Sequence, residues 1–132
     1  MPADLAALIG HDRPEIDELR RRVTRPLVAF EMLPRVQLRG GELFLGRHGT
    51  WDGPVGAVVF HAIFEDDLPA LGALALWGGP CLPSAHGMLD CRPRIPCLAR
   101  VRRVSRFAGL PRGYAGPDTT FTATGPTVAK WG

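Results

Sequence analysis

The stretch that decides the fold is "VGAVVFHAIFEDDLPALGALALWGG", Val55–Gly79. Its first ten residues, "VGAVVFHAIF" (Val55–Phe64), are rich in β-branched and apolar side chains at both odd and even positions. A strand of that kind is central and covered on both faces. The next fifteen residues, Glu65–Gly79, read as a helix that follows at once. Asp66 or Asp67 can cap it, Pro69 suits its first turn, and Leu68, Leu71 and Leu74 or Ala75 form an apolar stripe. Gly78 and Gly79 end it. A strand running straight into such a helix is half of a βαβ unit, and that places the chain among α/β folds. The acids Glu65, Asp66 and Asp67 belong to the helix start, by capping and dipole, rather than to a metal site. His61, inside the strand, reads as a satisfied core or sheet-face residue.

Upstream, "RPLVAFEML" (Arg25–Leu33) is a continuous apolar run bounded by prolines, as in a buried strand. "VQLRGGELFLG" (Val36–Gly46) alternates on either side of Gly40–Gly41 and predicts a hairpin. "GRHGTWDGPVG" (Gly46–Gly56) reads as a loop. Further upstream the chain reads as helical in two pieces, with Leu5, Leu8 and Ile9 on one face and Ile16, Leu19 and Val23 on another. Asp12, Pro14 and Glu15 mark the start of the second piece. The basic end of "ELRRR" suits a solvated helix C-terminus.

Downstream, "PCLPSAHGMLDC" (Pro80–Cys91) opens with a short apolar piece and continues into a helix capped by Ser84. A second helix is predicted over roughly Pro96–Phe107. One of its faces carries Leu98, Val101, Val104 and Phe107, and the other Arg100, Arg102, Arg103 and Arg106, as a solvated or interface surface. "GLPRGYAGPD" is a turn-rich linker. "TTFTATGPTVAKWG" gives two short β-prone runs around Thr124–Gly125–Pro126. The expected architecture is therefore α/β: a small open mixed sheet with flanking helices, then a helical linker and a short terminal β-hairpin. The expected division is 1–24 as an N-terminal helical segment, 25–91 as the α/β domain, and 92–132 as linker helix and terminal strands.

The composition bounds what such a chain does. An apolar content of 45% is that of a globular domain and excludes general disorder. A net charge of +3 is only mildly basic, and the arginines are spread along the chain, so no nucleic-acid partner is expected. No basic leader precedes an apolar run, and the longest apolar stretch is too short to span a bilayer. Three cysteines are an odd number, which argues against a disulfide framework and for a reduced, cytoplasmic protein.

Several motifs bear on chemistry. "GRHGTWDG" lacks the Lys-Ser/Thr end of a P-loop. Its His48, Trp51 and Asp52 could meet a small molecule, since loops after strands of open α/β sheets hold ligands; the plainer reading is a turn with a Trp lid. Cys81, His86, Cys91 and Cys97 form an alternative zinc set. Cys-x4-His-x4-Cys matches the last three ligands of a zinc knuckle, but Gly78 stands where its first cysteine belongs, and paired Cys-x2-Cys is missing. On that alternative the protein is a small basic zinc module contacting nucleic acid; a further alternative is a non-catalytic α/β interaction protein that self-associates through its terminal strand. Lys130, the single lysine of the chain, lies in "PTVAK". It can protect an edge strand or offer a point charge to a phosphate.

Taken together, "WGGPCLPSAHGMLDC" (Trp77–Cys91), "LARVRRVSRFAGLPRGYAG" (Leu98–Gly116) and "GPTVAKWG" (Gly125–Gly132) resemble, in order and spacing, the junction region of ATP-grasp ligases. The resemblance covers Val55–Gly132. It implies a pre-ATP-grasp α/β domain followed by the first strand of an ATP lobe, in a protein that uses ATP and Mg²⁺ to join a small-molecule carboxylate to an amine. Lys130 resembles the lysine of that strand, which contacts nucleotide phosphate. Arg92 and Arg94, after Asp90, stand where the family often has a second basic residue, with arginine replacing the usual lysine. The family's hinge, glycine-rich lid and acidic Mg²⁺ ligands lie beyond this strand and are not present. The expectation is an N-terminal fragment that is not catalytically competent alone.

Overall fold

The computed structural model describes residues 3–104, 106, 119, 122, 125 and 126, with the backbone alone at 94 and 95. The chain divides into two compact units, Met1–Arg92 and Pro93–Gly132. Unit one is built on a six-stranded mixed sheet with strands β1 (Leu5–Ile9), β2 (Leu27–Phe30), β3 (Arg35–Arg39), β4 (Glu42–Arg47), β5 (Thr50–Phe60) and β6 (Cys81–Leu82). Its helices are α1 (Arg13–Arg22), α2 (Leu68–Trp77) and α3 (Ala85–Cys91). Among the described residues no helix is long and apolar enough to cross a membrane.

The strand order is β2-β1-β5-β4-β3. β1 pairs parallel with β2 on one side and β5 on the other. One edge of β5 faces β1, while its other edge is shared, antiparallel to β4 up to Val55 and parallel to β6 at Val58 and Val59. β5 is thus the central strand that its composition predicts. Its side chains divide between the two faces, with Val58 and Phe60 in the larger core and Val59 against the smaller one.

Two βαβ units diverge from the middle of this sheet. The crossover β1–α1–β2 steps one way and β5–α2–β6 steps the other. Their helices lie on opposite faces. Ile16 of α1 packs with Leu8 and Ala29. Leu71 and Leu74 of α2, fully buried, pack with Ala7, Ile9, Phe30, Val58 and Phe60. Adjacent residues of β1 therefore serve different helices, as the two-residue period of a strand requires.

Several expectations are corrected here. Leu5–Ile9 is not helical: "LAALI" is a parallel strand buried on both sides, so its apolar residues have no helical period to read. The helix begins at Arg13, and there the start signal is met. Asp12 and Glu15 form a capping box, each side chain accepting from the other's backbone N–H at 2.9 and 3.1 Å. The basic end of α1 is exposed, and its Arg21 and Arg22 pair with Glu18. "GRHGTWDGPVG" is not a loop. β4 reaches Arg47, His48 and Gly49 make a two-residue turn with φ of 50° and 81°, and β5 starts at Thr50. Those positive φ values are what a hairpin turn needs, and Gly40–Gly41 repeat them at 58° and 82° between β3 and β4. Gly49 serves the turn, while Gly46, Gly53 and Gly56 leave room for close neighbours. A Cβ on Gly46 would stand 2.7 Å from the Trp51 ring that covers it.

α3 is capped as expected by Ser84, whose hydroxyl accepts from Gly87 N–H at 3.3 Å. In unit two, helix α4 (Arg94–Val101) begins earlier and stops sooner than the predicted Pro96–Phe107, giving way to turns at Arg103 and Val104. The predicted linker, most of the segment predicted as terminal strands, and Lys130 lie outside the described residues.

Candidate functional site at the sheet's carboxyl edge

In an open α/β sheet the crevice lies at the carboxyl ends of the strands, where neighbouring crossovers depart in opposite directions. Here that switch point is between β1 and β5. The residues immediately beyond those strands are Gly10–His11 and His61–Ala62. His61 is not inside β5, as expected, but one residue past its end, and it is exposed.

Backbone packing brings these ends together. Gly10 N–H donates to Phe30 O at 2.7 Å and His61 N–H to Ile9 O at 2.8 Å, which extends pairing across β2, β1 and β5. Gly10 has φ 81°, and a Cβ there would stand 2.1 Å from the His61 carbonyl oxygen. Only glycine permits both the left-handed backbone and this approach. The consequence is that the His11 and His61 rings lie 5.3 Å apart, tilted by 32°. His11 is 9% exposed, and its Nδ1 is buried without a hydrogen-bond partner. Burial is the main force holding its pKa below the ordinary histidine value; His61 adds to this, while Glu15, Asp12 and the Ile9 carbonyl oppose it.

The connection from β5 to α2 is strained. Ala62 has φ 69° and Asp66 φ 57°, both in the left-handed region that side chains other than glycine disfavour. At its end, Asp67 occupies the N-cap position of α2 but makes no capping hydrogen bond. Its carboxylate is 2% exposed, accepts from Phe64 N–H at 3.4 Å, and pairs with an Arg92 terminal nitrogen at 2.9 Å. The expected capping role is therefore replaced by a buried ion pair tying the start of α2 to the end of α3.

The residues singled out in the sequence fall as follows. Arg92 is committed to Asp67, with its Nε also buried and unpartnered. The Arg94 side chain and Lys130 lie outside the described residues. His48 sits in the β4–β5 turn, whereas Trp51 and Asp52 are successive strand residues paired with Gly46 and Leu45. Successive strand side chains point to opposite faces, so the three do not converge on one ligand. Trp51 instead packs on Gly46, with the Arg35 guanidinium 5.3 Å from its ring centroid.

Cys81 and His86 line one cavity of about 240 Å³ between α2, β6 and α3. Burial raises the Cys81 thiol above its ordinary pKa, away from the thiolate that binds metal. Cys91 is exposed at the end of α3, and Cys97 belongs to unit two. Among the described residues no group of three or more His, Cys, Asp or Glu could hold a metal ion. Sequence reasoning did not single out His11. The available signal was a histidine directly after each of two strands, hidden once the first strand had been read as helix. Comparison with protein-family models, curated proteins and solved structures finds no match to this chain.

Proposed function

We propose that the chain carries the pre-ATP-grasp portion, and the first ATP-lobe strand, of a cytoplasmic ATP-dependent ligase that joins a small-molecule carboxylate to an amine. The observation that supports this reading is the open mixed sheet of unit one, which includes Trp77–Cys91, followed from Pro93 by a separate unit that contains the remaining junction-like segments, Leu98–Gly116 and Gly125–Gly132. The crevice at the β1/β5 switch point is where such a sheet accepts a small molecule. In the ligase, ATP and Mg²⁺ supply the activation of the carboxylate as an acyl phosphate. Lys130 offers a point charge to phosphate. Arg92, paired with Asp67, serves to hold α2 and α3 together, so a second phosphate contact on this reading falls to Arg94.

Calorimetric titration of this chain with ATP and Mg²⁺ tests the reading, side by side with a longer version extended along the natural reading frame. The longer protein is expected to bind ATP with Mg²⁺ and to lose that binding on Lys130→Gln, while this chain alone binds weakly or not at all. A reading frame with no glycine-rich loop and no acidic metal ligands after Gly132 would refute the proposal, as would nucleotide binding indifferent to Lys130.

A further inference from the structure

Among the described residues of unit one, the tilted His11–His61 pair is where two titratable rings meet at a junction of backbone elements. His11 follows β1 and His61 follows β5, and the same few residues carry the hydrogen bond from His61 N–H to Ile9 O. His11 has almost no access to water and its Nδ1 has no partner, so the fold accommodates it uncharged. The segment that leaves this point has a left-handed backbone at Ala62, a conformation that residues other than glycine disfavour.

We propose that His11, packed against His61, forms a proton-operated catch on the carboxyl edge of the sheet: with His11 uncharged the rings hold the ends of β1 and β5 together, and with His11 charged in its buried place the 61–66 connection swings free and the switch-point crevice opens. The driving force is the cost of charging a buried imidazole whose Nδ1 has no partner, with the His61 ring 5.3 Å away leaving no room for water between them. The charged groups that face His11 are His61 beyond β5, and Asp12 and Glu15 at the start of α1. The two carboxylates favour its protonation, but they are exposed and occupied with each other's backbone N–H groups, so water screens their pull. The folded pKa of His11 lies below its ordinary value of 6.5, so the closed form binds fewer protons than the open one. The catch therefore holds fully above that value and weakens as pH falls below it.

Hydrogen exchange of the intact chain at pH 7.5 and pH 5.0, corrected for intrinsic exchange rates, tests this. The amides of Gly10 and His61 are expected to lose protection at pH 5.0 by on the order of tenfold more than those of Leu71 and Val58, as the cost of charging a largely buried imidazole implies. His11→Phe fills the buried space without a titrating group and should abolish the extra loss; His61→Gln should reduce it. An equal response across the sheet in the unaltered chain overturns the proposal without recourse to any variant. So does an extra loss that survives in His11→Phe.

Discussion

Breaking the Asp67–Arg92 pair gives the sharpest energetic test of unit one. Asp67 is 2% exposed and the Arg92 side chain 21% exposed, so the carboxylate has no water to turn to if its partner is removed and the guanidinium only a little. Removing one member of a buried pair leaves an uncompensated charge and costs about 3–5 kcal/mol. Asp67→Ala also takes away the acceptor of Phe64 N–H, adding about 0.5–1.5 kcal/mol if that bond has ordinary strength, and less at 3.4 Å. Arg92→Met keeps much of the arginine's apolar bulk but strands the carboxylate, at a similar cost to the first figure. A domain stable by about 5–15 kcal/mol would lose a large share of its stability to either change. The double variant Asp67→Ala/Arg92→Met removes both charges at once and completes the cycle with the two single variants. It should cost clearly less than the sum of the single substitutions, with a coupling of about 2 kcal/mol or more. Urea unfolding followed by far-UV circular dichroism measures all four proteins. Single-variant losses below about 1 kcal/mol, or simple additivity, would refute the claim that the pair is buried and mutually dependent. That outcome would also return Arg92 to the residues available for a phosphate.

Gly10→Ala should be among the most damaging single-methyl changes in the chain. The left-handed backbone costs a residue other than glycine about 1–2 kcal/mol, and the new Cβ would press on a backbone carbonyl at 2.1 Å, so a loss of about 3 kcal/mol or more in urea unfolding is expected, and one under 1 kcal/mol contradicts the close approach. Leu71→Ala removes a fully buried side chain of α2 from the larger core and should cost about 2–5 kcal/mol by the same assay, whereas Leu76→Ala, 79% exposed on the same helix, should be nearly neutral.

The parts of the fold legible in sequence are those where local chemistry and tertiary role coincide. β5 was readable because β-branched residues at successive positions have one good destination, the middle of a sheet. α1 announced its start with Asp12 and Glu15, and the β3–β4 turn with two glycines. The misreadings have a shared physical source, which is that a residue's role was decided far away in sequence. "LAALI" has good helix formers, and only the neighbours β2 and β5 make it a strand. Gly46 looked like loop punctuation but makes room for Trp51. Asp67 looked like a cap until Arg92, twenty-five residues later, claimed its carboxylate. The site suffered most. His11 and His61 are fifty residues apart, and nothing local says that the strands before them lie side by side.

The identity of the residue at 92 bears on the ligase proposal. The resemblance would lead one to expect a lysine there, and the pairing with Asp67 accounts for an arginine independently of that resemblance. A guanidinium offers a planar fork of donors and is weakly hydrated, so it can be buried against a carboxylate where a compact ammonium would keep its water. Asp67 stands at the head of α2 with its carboxylate turned away from the helix N–H groups, and it needs a partner of that kind. Once Arg92 is fixed in that role, the single lysine of the chain gains importance on the proposed reading. Lys130 carries a point charge on a flexible stem, suited to following a phosphate rather than bracing two helices. Stability and nucleotide contact are then assigned to different basic residues, so substitution at Arg92 should register in unfolding and substitution at Lys130 in the nucleotide titration. Variants that moved both measurements together would contradict that division.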